Sequence, residues 1–225
     1  LDEDGFEKMD SEENWRALEA SYDKFILAYA TLAQETNADA FCIGTELEQF
    51  VSHRPEYWTE LIKKIKSVYK GKLTYAANWD EYGRTPFWED LDFIGIDAYF
   101  PLSDEKTPTV EQLRKGWQPH KEKIKSLSMA KNKPIIFTEY GYRSNNYAAK
   151  KPWLVDHSQD DVNLEAQTNA TKAIFEEFWS EDWFAGGFVW KWFIDHEKAG
   201  GINDNRFTPQ NKPAQEVIKS FYKIY

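Results

Sequence analysis

The segment AFCIGTE, residues 40–46, is apolar without polar alternation and closes on a carboxylate. A strand covered on both faces reads this way, which points to a parallel sheet with helices packed outside it. PIIFTE, residues 134–139, repeats the pattern and closes on a second glutamate. Three further runs resemble these two: LTYAAN (73–78), FIGID (93–97) and GGFVW (186–190). Between them, apolar residues recur at steps of three and four, the spacing of an amphipathic helix. The first such set is Trp15, Leu18, Tyr22, Phe25, Ile26, Tyr29, Leu32 and Ala33, with Asp10 and Glu13 set as a capping box. A second helix opens near Pro55 and stops at Gly71; a third carries Leu113, Trp117, Ile124 and Leu127. A fourth spans Val162 to Trp179, and a closing helix runs from Lys212 to Tyr222. Strands separated by helix-length crossovers form a parallel α/β sheet, either doubly wound or a (β/α) barrel.

Polar residues decide between the two. No glycine-rich phosphate loop follows any strand, whereas Glu46, Asn78, Asp97, Glu139 and Trp190 each end a different one. Functional residues shared among many strand ends mark a barrel mouth. Five strands are readable where a closed barrel needs eight, and the chain starts at Leu1 in an acidic stretch that feeds directly into a helix. The expectation is therefore one catalytic barrel domain over residues 1–225 that lacks its N-terminal three βα units, with an unpaired edge on its first strand and another on its last.

Composition removes several classes. The 225 residues carry 28 basic and 38 acidic side chains, a net charge of −10. Without a basic cluster there is no surface for a phosphate backbone, so no nucleic-acid partner is expected. No apolar run approaches the roughly 18 residues of a membrane span, so no membrane partner is expected either. Cys42 is alone, and His53, His120, His157 and His196 show no metal-ligand spacing. No metal and no cofactor are expected, and nothing bears on the oligomeric state. In contrast, 10 Trp, 12 Tyr and 15 Phe exceed what a core needs and suit stacking on a ring-shaped ligand such as a sugar.

Cleaving a glycosidic bond takes one carboxylic acid to protonate the leaving oxygen and a second carboxylate to attack or to activate water. Glu46 and Glu139 are the candidates; 139 − 46 places them 93 positions apart, three strand steps, so in a barrel they face each other across the mouth.

With these residues in place, the chain resembles the (β/α)8 glycoside hydrolases of clan A, and most closely glycoside hydrolase family 113, the β-mannanase-like enzymes. The resemblance rests on IGTEL (43–47), LTYAANWD (73–80), IGIDAYFPL (94–102), KPIIFTEYGY (133–142) and GGFVWKWF (186–193). It implies that the five strands are the fourth to the eighth of a TIM barrel, that Glu46 is the acid/base and that Glu139 is the nucleophile of a retaining double displacement. It implies a phenol at Tyr99 that hydrogen-bonds the nucleophile and holds it ionised. It also implies an aromatic floor at Trp190 beneath the reacting sugar. Where clan members carry Asn-Glu at the end of strand 4, this chain has Thr45-Glu46.

Around that pair, Trp79 and Asp80 follow the second readable strand and are placed to line a neighbouring subsite, with Asn78 at the strand end itself. Trp192 lies two along from Trp190 and so on the same face of an extended chain. Trp58 and Trp117 read as core packing, and His196 as incidental. The expected substrate is a β-linked polysaccharide or oligosaccharide, β-1,4-mannan-like, cleaved in the manner of an endo-β-1,4-mannanase; a polymeric substrate favours a secreted or periplasmic protein. The rival reading is a carbohydrate-binding domain that kept the aromatic groove without turnover.

Overall fold

Each of the five apolar runs forms a strand, and all five lie side by side in chain order in one parallel sheet. The computed structural model describes residue 9, residues 11–154 and residues 161–223. Asp10 and His157 lie outside them. The elements are α1 (Glu12–Glu35), β1 (Ala40–Thr45), α2 (Glu48–His53), α3 (Pro55–Val68), β2 (Lys72–Asn78), β3 (Ile94–Asp97), α4 (Val110–Lys131), β4 (Ile135–Tyr140), α5 (Leu164–Phe178), β5 (Phe184–Val189) and α6 (Pro213–Tyr222). Among the described residues β1 pairs only with β2 and β5 only with β4, so these two strands are the sheet's edges.

Strand pleating separates two faces. Leu73, Tyr75 and Ala77 of β2, with Ile43 of β1, Ile94 and Ile96 of β3, and Ile135 and Phe137 of β4, are buried in the core with the helices. Trp58 of α3 and Trp117 of α4 are completely buried there, as their helical positions predict. The alternate residues, among them Cys42, Thr74, Ala76, Asp97, Thr138 and Phe188, line a cavity of about 250 Å³ on the other face. Small and polar side chains dominate that lining.

Helix ends follow local chemistry. Ser11, not Asp10, is the N-cap of α1: its hydroxyl accepts from the Asn14 amide. Thr109 and Gln112 form a reciprocal capping box on α4, and Asn132 closes that helix in the left-handed region with φ 50°. On α3, Pro55 occupies the first turn, where its missing N–H costs nothing, and the helix ends at Val68, before Gly71 is reached. The short α2 was not legible, because six residues with two buried apolar side chains carry too little periodicity. One expectation changes on α1. Ile26, Ala30 and Ala33 are buried, while Phe25, Tyr29 and Leu32 stand about half exposed. Its apolar residues therefore occupy two faces, of which one packs on α3 and β1.

Candidate active site

Sheet register assembles the site. Asn78 of β2 is opposite Asp97 of β3, and Asp97 is opposite Glu139 of β4, which forms one row at the carboxyl ends of three strands. Glu46 joins the row from β1: its backbone N–H donates to the carbonyl of Ala76 at 2.9 Å. Glu46 has φ +52°, the left-handed region, where a residue with a side chain is held at a cost of roughly 1–3 kcal/mol.

The two glutamates sit in different surroundings. Tyr99 is buried, and its phenol donates to Glu139 Oε2 at 2.5 Å. Burial, followed by the contact with Glu139, holds the phenol's pKa well above the ordinary range, so it remains a donor. Burial also raises the Glu139 carboxyl, and the Tyr99 hydrogen bond pulls it back towards the ionised form. Glu46 opens onto solvent, and among the described residues no side chain donates to its carboxylate. Its pKa is raised by desolvation first and then by the negative charges of Glu139, Glu81 and Asp80. Both carboxyls are therefore raised by burial, but negative neighbours add to the rise at Glu46 whereas a phenol donor opposes it at Glu139.

Asp97 completes the cluster. It is fully buried, one oxygen accepts from the Thr138 hydroxyl at 2.7 Å, and the other has no partner among the described residues. Desolvation, with the charges of Glu139, Glu46 and Glu81, pushes its pKa to about 8.

The remaining residues are distributed around this centre. Trp79 is half-buried and stacks on Trp153, with ring centroids 4.8 Å apart at 22°. Trp153 had no signal in the sequence, because it lies in the long connection after β4, remote in the chain from Trp79. Asn78 turns its side-chain oxygen inward to accept from the Trp79 N–H at 2.8 Å, so it shapes the turn. Asp80 is exposed and acts on Glu46 through its charge. Trp190 is 39% exposed, and its N–H donates to the Tyr140 carbonyl at 2.7 Å. Gly141 permits this approach, since a Cβ there would lie 2.4 Å from the Trp190 carbonyl oxygen. Trp192 is not brought to this centre: it lines a separate groove with Val189 and, on α6, Ile218 and Tyr222, and stacks on His196. The β5 chain leaves regular extended geometry at residue 190, so the two-residue rule for a shared face no longer holds. Among the described residues no group of His, Cys, Asp or Glu could hold a metal ion, and no helix is long and apolar enough to cross a membrane.

Paired glutamates at the strand ends of a parallel α/β sheet, one with a phenol donor, are the arrangement of a glycoside hydrolase. Residues 4–212 match the model of Glycoside Hydrolase Family 113, and the chain belongs to that family. Among solved structures it is similar to the family-113 β-mannanase of Alicyclobacillus acidocaldarius, with 28% identity and a TM-score of 0.77 over 94% of this chain and 64% of that one. A second family-113 β-1,4-mannanase gives 26% identity and a TM-score of 0.79 over 98% and 68%. The β-glucuronidase of Ruminococcus gnavus, at 17% identity and a TM-score of 0.69 over 95% and 37%, shares the fold alone. The chain thus spans about two thirds of the length of these mannanases. A comparison with curated proteins gives no match.

Proposed function

We propose that this chain carries the catalytic pair of a retaining glycoside hydrolase that cleaves a β-1,4-mannan-like polysaccharide or oligosaccharide. Glu139 is the nucleophile and Glu46 the acid/base. The observation that carries the reading is the Tyr99 phenol on Glu139 Oε2, set against a Glu46 whose pKa is raised by burial and by the negative charges of Glu139, Glu81 and Asp80. Glu46 protonates the leaving oxygen while Glu139 attacks the anomeric carbon; Glu46, now ionised, then deprotonates the water that releases the sugar. Trp190 after β5 and Trp153, stacked on Trp79 after β2, are partly exposed aromatic rings suited to stacking on a sugar. Mannan specificity draws support from the family-113 mannanases that the chain resembles at 26–28% identity.

The five strands correspond, in this reading, to the fourth to eighth of a (β/α)8 barrel, whose closure takes three further units. The two edges at β1 and β5 and the coverage of 64–68% of the mannanases support it. The test is hydrolysis of mannan, glucomannan, cellulose and xylan, with reducing ends and product anomers followed, by the 225-residue chain and by a form extended at its amino terminus. Mannan cleavage with retained configuration, dependent on the extension, is expected. Inverted products would overturn the nucleophile assignment, and equal activity of both forms would overturn the barrel argument. Sugar binding without turnover by either form would return the chain to the carbohydrate-binding alternative.

A further inference from the structure

Glu46 presents a mechanical problem: it is a non-glycine residue in a left-handed turn at a sheet edge, and no side chain among the described residues bonds its carboxylate. Its aim therefore depends on the backbone around it. The Leu47 N–H, immediately after it, donates to the hydroxyl of Tyr75 at 2.6 Å. That hydroxyl donates in turn to Glu81 Oε1 at 2.8 Å, and the other oxygen of Glu81 accepts from the Asn78 N–H at 3.1 Å. Tyr75 and Glu81 are both buried. The Tyr75 ring is wedged edge-on between Trp58, 5.7 Å away, and Phe87, 5.5 Å away. Gly44 allows the wedge to close on β1, because a Cβ there would meet the Tyr75 ring at 3.1 Å. A second tie joins the same two segments: Arg84 donates to Glu48 in the first turn of α2.

We propose that Tyr75 and Glu81 are positioning residues for Glu46, a buried relay from the Leu47 N–H through the Tyr75 hydroxyl to the Glu81 carboxylate that fixes the turn from which the acid reaches the leaving oxygen. This rests on the reading of Glu46 as the general acid. The relay lies on the helix-covered face of the sheet, opposite the groove, so it touches no substrate. Its two ends belong to different βα units, so the acid is located by the rigid β2 turn as well as by its own strand.

The distinguishing readout is leaving-group dependence. A dinitrophenyl leaving group departs without a proton, whereas a sugar needs one. In the active full-length protein, Tyr75→Phe should lower kcat/KM on mannooligosaccharides by about 10- to 100-fold, the scale of a small misplacement of a catalytic group. The same variant should leave kcat/KM on a dinitrophenyl β-mannobioside nearly unchanged. Glu81→Gln should give the same selective pattern more weakly, and it serves if Tyr75→Phe does not fold. Tyr69→Phe is the control: its buried hydroxyl bonds the Ala38 carbonyl at the opposite end of β1, 2.6 Å away, so its loss should affect stability without selectivity. Equal losses on both substrates, or none, in Tyr75→Phe and Glu81→Gln would overturn the relay. Glu46→Gln, measured alongside, separates the two claims. Selective loss in Glu46→Gln but not in the relay variants removes the relay alone, while absence of selectivity in Glu46→Gln removes the acid assignment beneath it.

Discussion

The ends of β1 and β4 each present a glutamate, yet the protein holds them by different means. Glu139 continues a strand, is half-buried, and is held by its side chain through the Tyr99 phenol. Glu46 leaves its strand in a left-handed turn, opens to solvent, and is held through the backbone, by the Ala76 carbonyl on its own N–H and by the Tyr75 hydroxyl on the next N–H, that of Leu47. The difference matches the roles proposed for the two residues. A nucleophile works as an anion at a set position, which a dedicated donor favours. An acid/base must give up and recover a proton, and a fixed donor on its carboxylate would favour the ionised form and work against the first step. Burial and then the negative neighbours around Glu46 act in the opposite sense and raise its pKa.

Removing each carboxylate tests that contrast most strongly. Glu139→Gln should lower kcat on every substrate by at least about 10³-fold, since under the proposed mechanism it deletes the nucleophile that would form the covalent intermediate. Glu46→Gln should lose about 10²- to 10⁴-fold on oligosaccharides and far less on activated aryl glycosides in the first step. Rates on both substrate types, with azide added to intercept the glycosyl-enzyme of Glu46→Gln, are the measurement. Identical losses for the two variants on both substrates would erase the distinction.

Tyr99→Phe comes next, with an expected fall of about 10- to 100-fold in kcat/KM. The phenol lowers the Glu139 pKa against burial, so without it that pKa rises. The acid limb of the kcat/KM profile should move to higher pH while the alkaline limb, set by Glu46, stays. A profile unchanged at its acid limb would remove Tyr99 from the ionisation of the nucleophile.

The smallest effect is expected at Asp97 and concerns stability. Its folded-state pKa of about 8 lies above that of an unfolded aspartate, about 3.9. Between those values the folded chain keeps a proton that the unfolded chain releases, so stability falls as pH rises through that window. Asp97→Asn should remove this slope and gain on the order of 1–2 kcal/mol relative to the parent between pH 5 and pH 7, the usual linkage discounted for relaxation. Urea unfolding at the two pH values measures it; a variant that destabilises equally at both would show that Asp97 is ionised in the fold.

Much of the fold was legible because its signals are local. A strand buried on two faces must be apolar throughout, and AFCIGTE, LTYAAN, FIGID, PIIFTE and GGFVW became β1 to β5 with shifts of at most two residues. Glu46 and Glu139 stood out because each closes such a run and they lie three strand steps apart, the pairing that cleavage of a glycosidic bond needs. Other features were not legible. Phe25, Tyr29 and Leu32 fit a helical period, but which stripe of α1 meets the sheet depends on where α3 lies. Tyr75 reads as one more core aromatic in LTYAAN, and only its distance to Leu47 and Glu81 makes it a link in a chain. Trp192 obeys the alternation of a strand that has already ended.

What the sequence determined by itself is the alternation of strands and helices and the kind of group at each strand end, since pleat, period and side-chain chemistry act over a few residues. Tertiary structure alone decided which of those groups meet: the register that sets Asp97 beside Glu139, the phenol that reaches Glu139 from 40 residues away, and the turn after β2 that anchors Glu46. Those are relations between strands, and a pKa or a hydrogen bond depends on distance in space, which no spacing along the chain encodes.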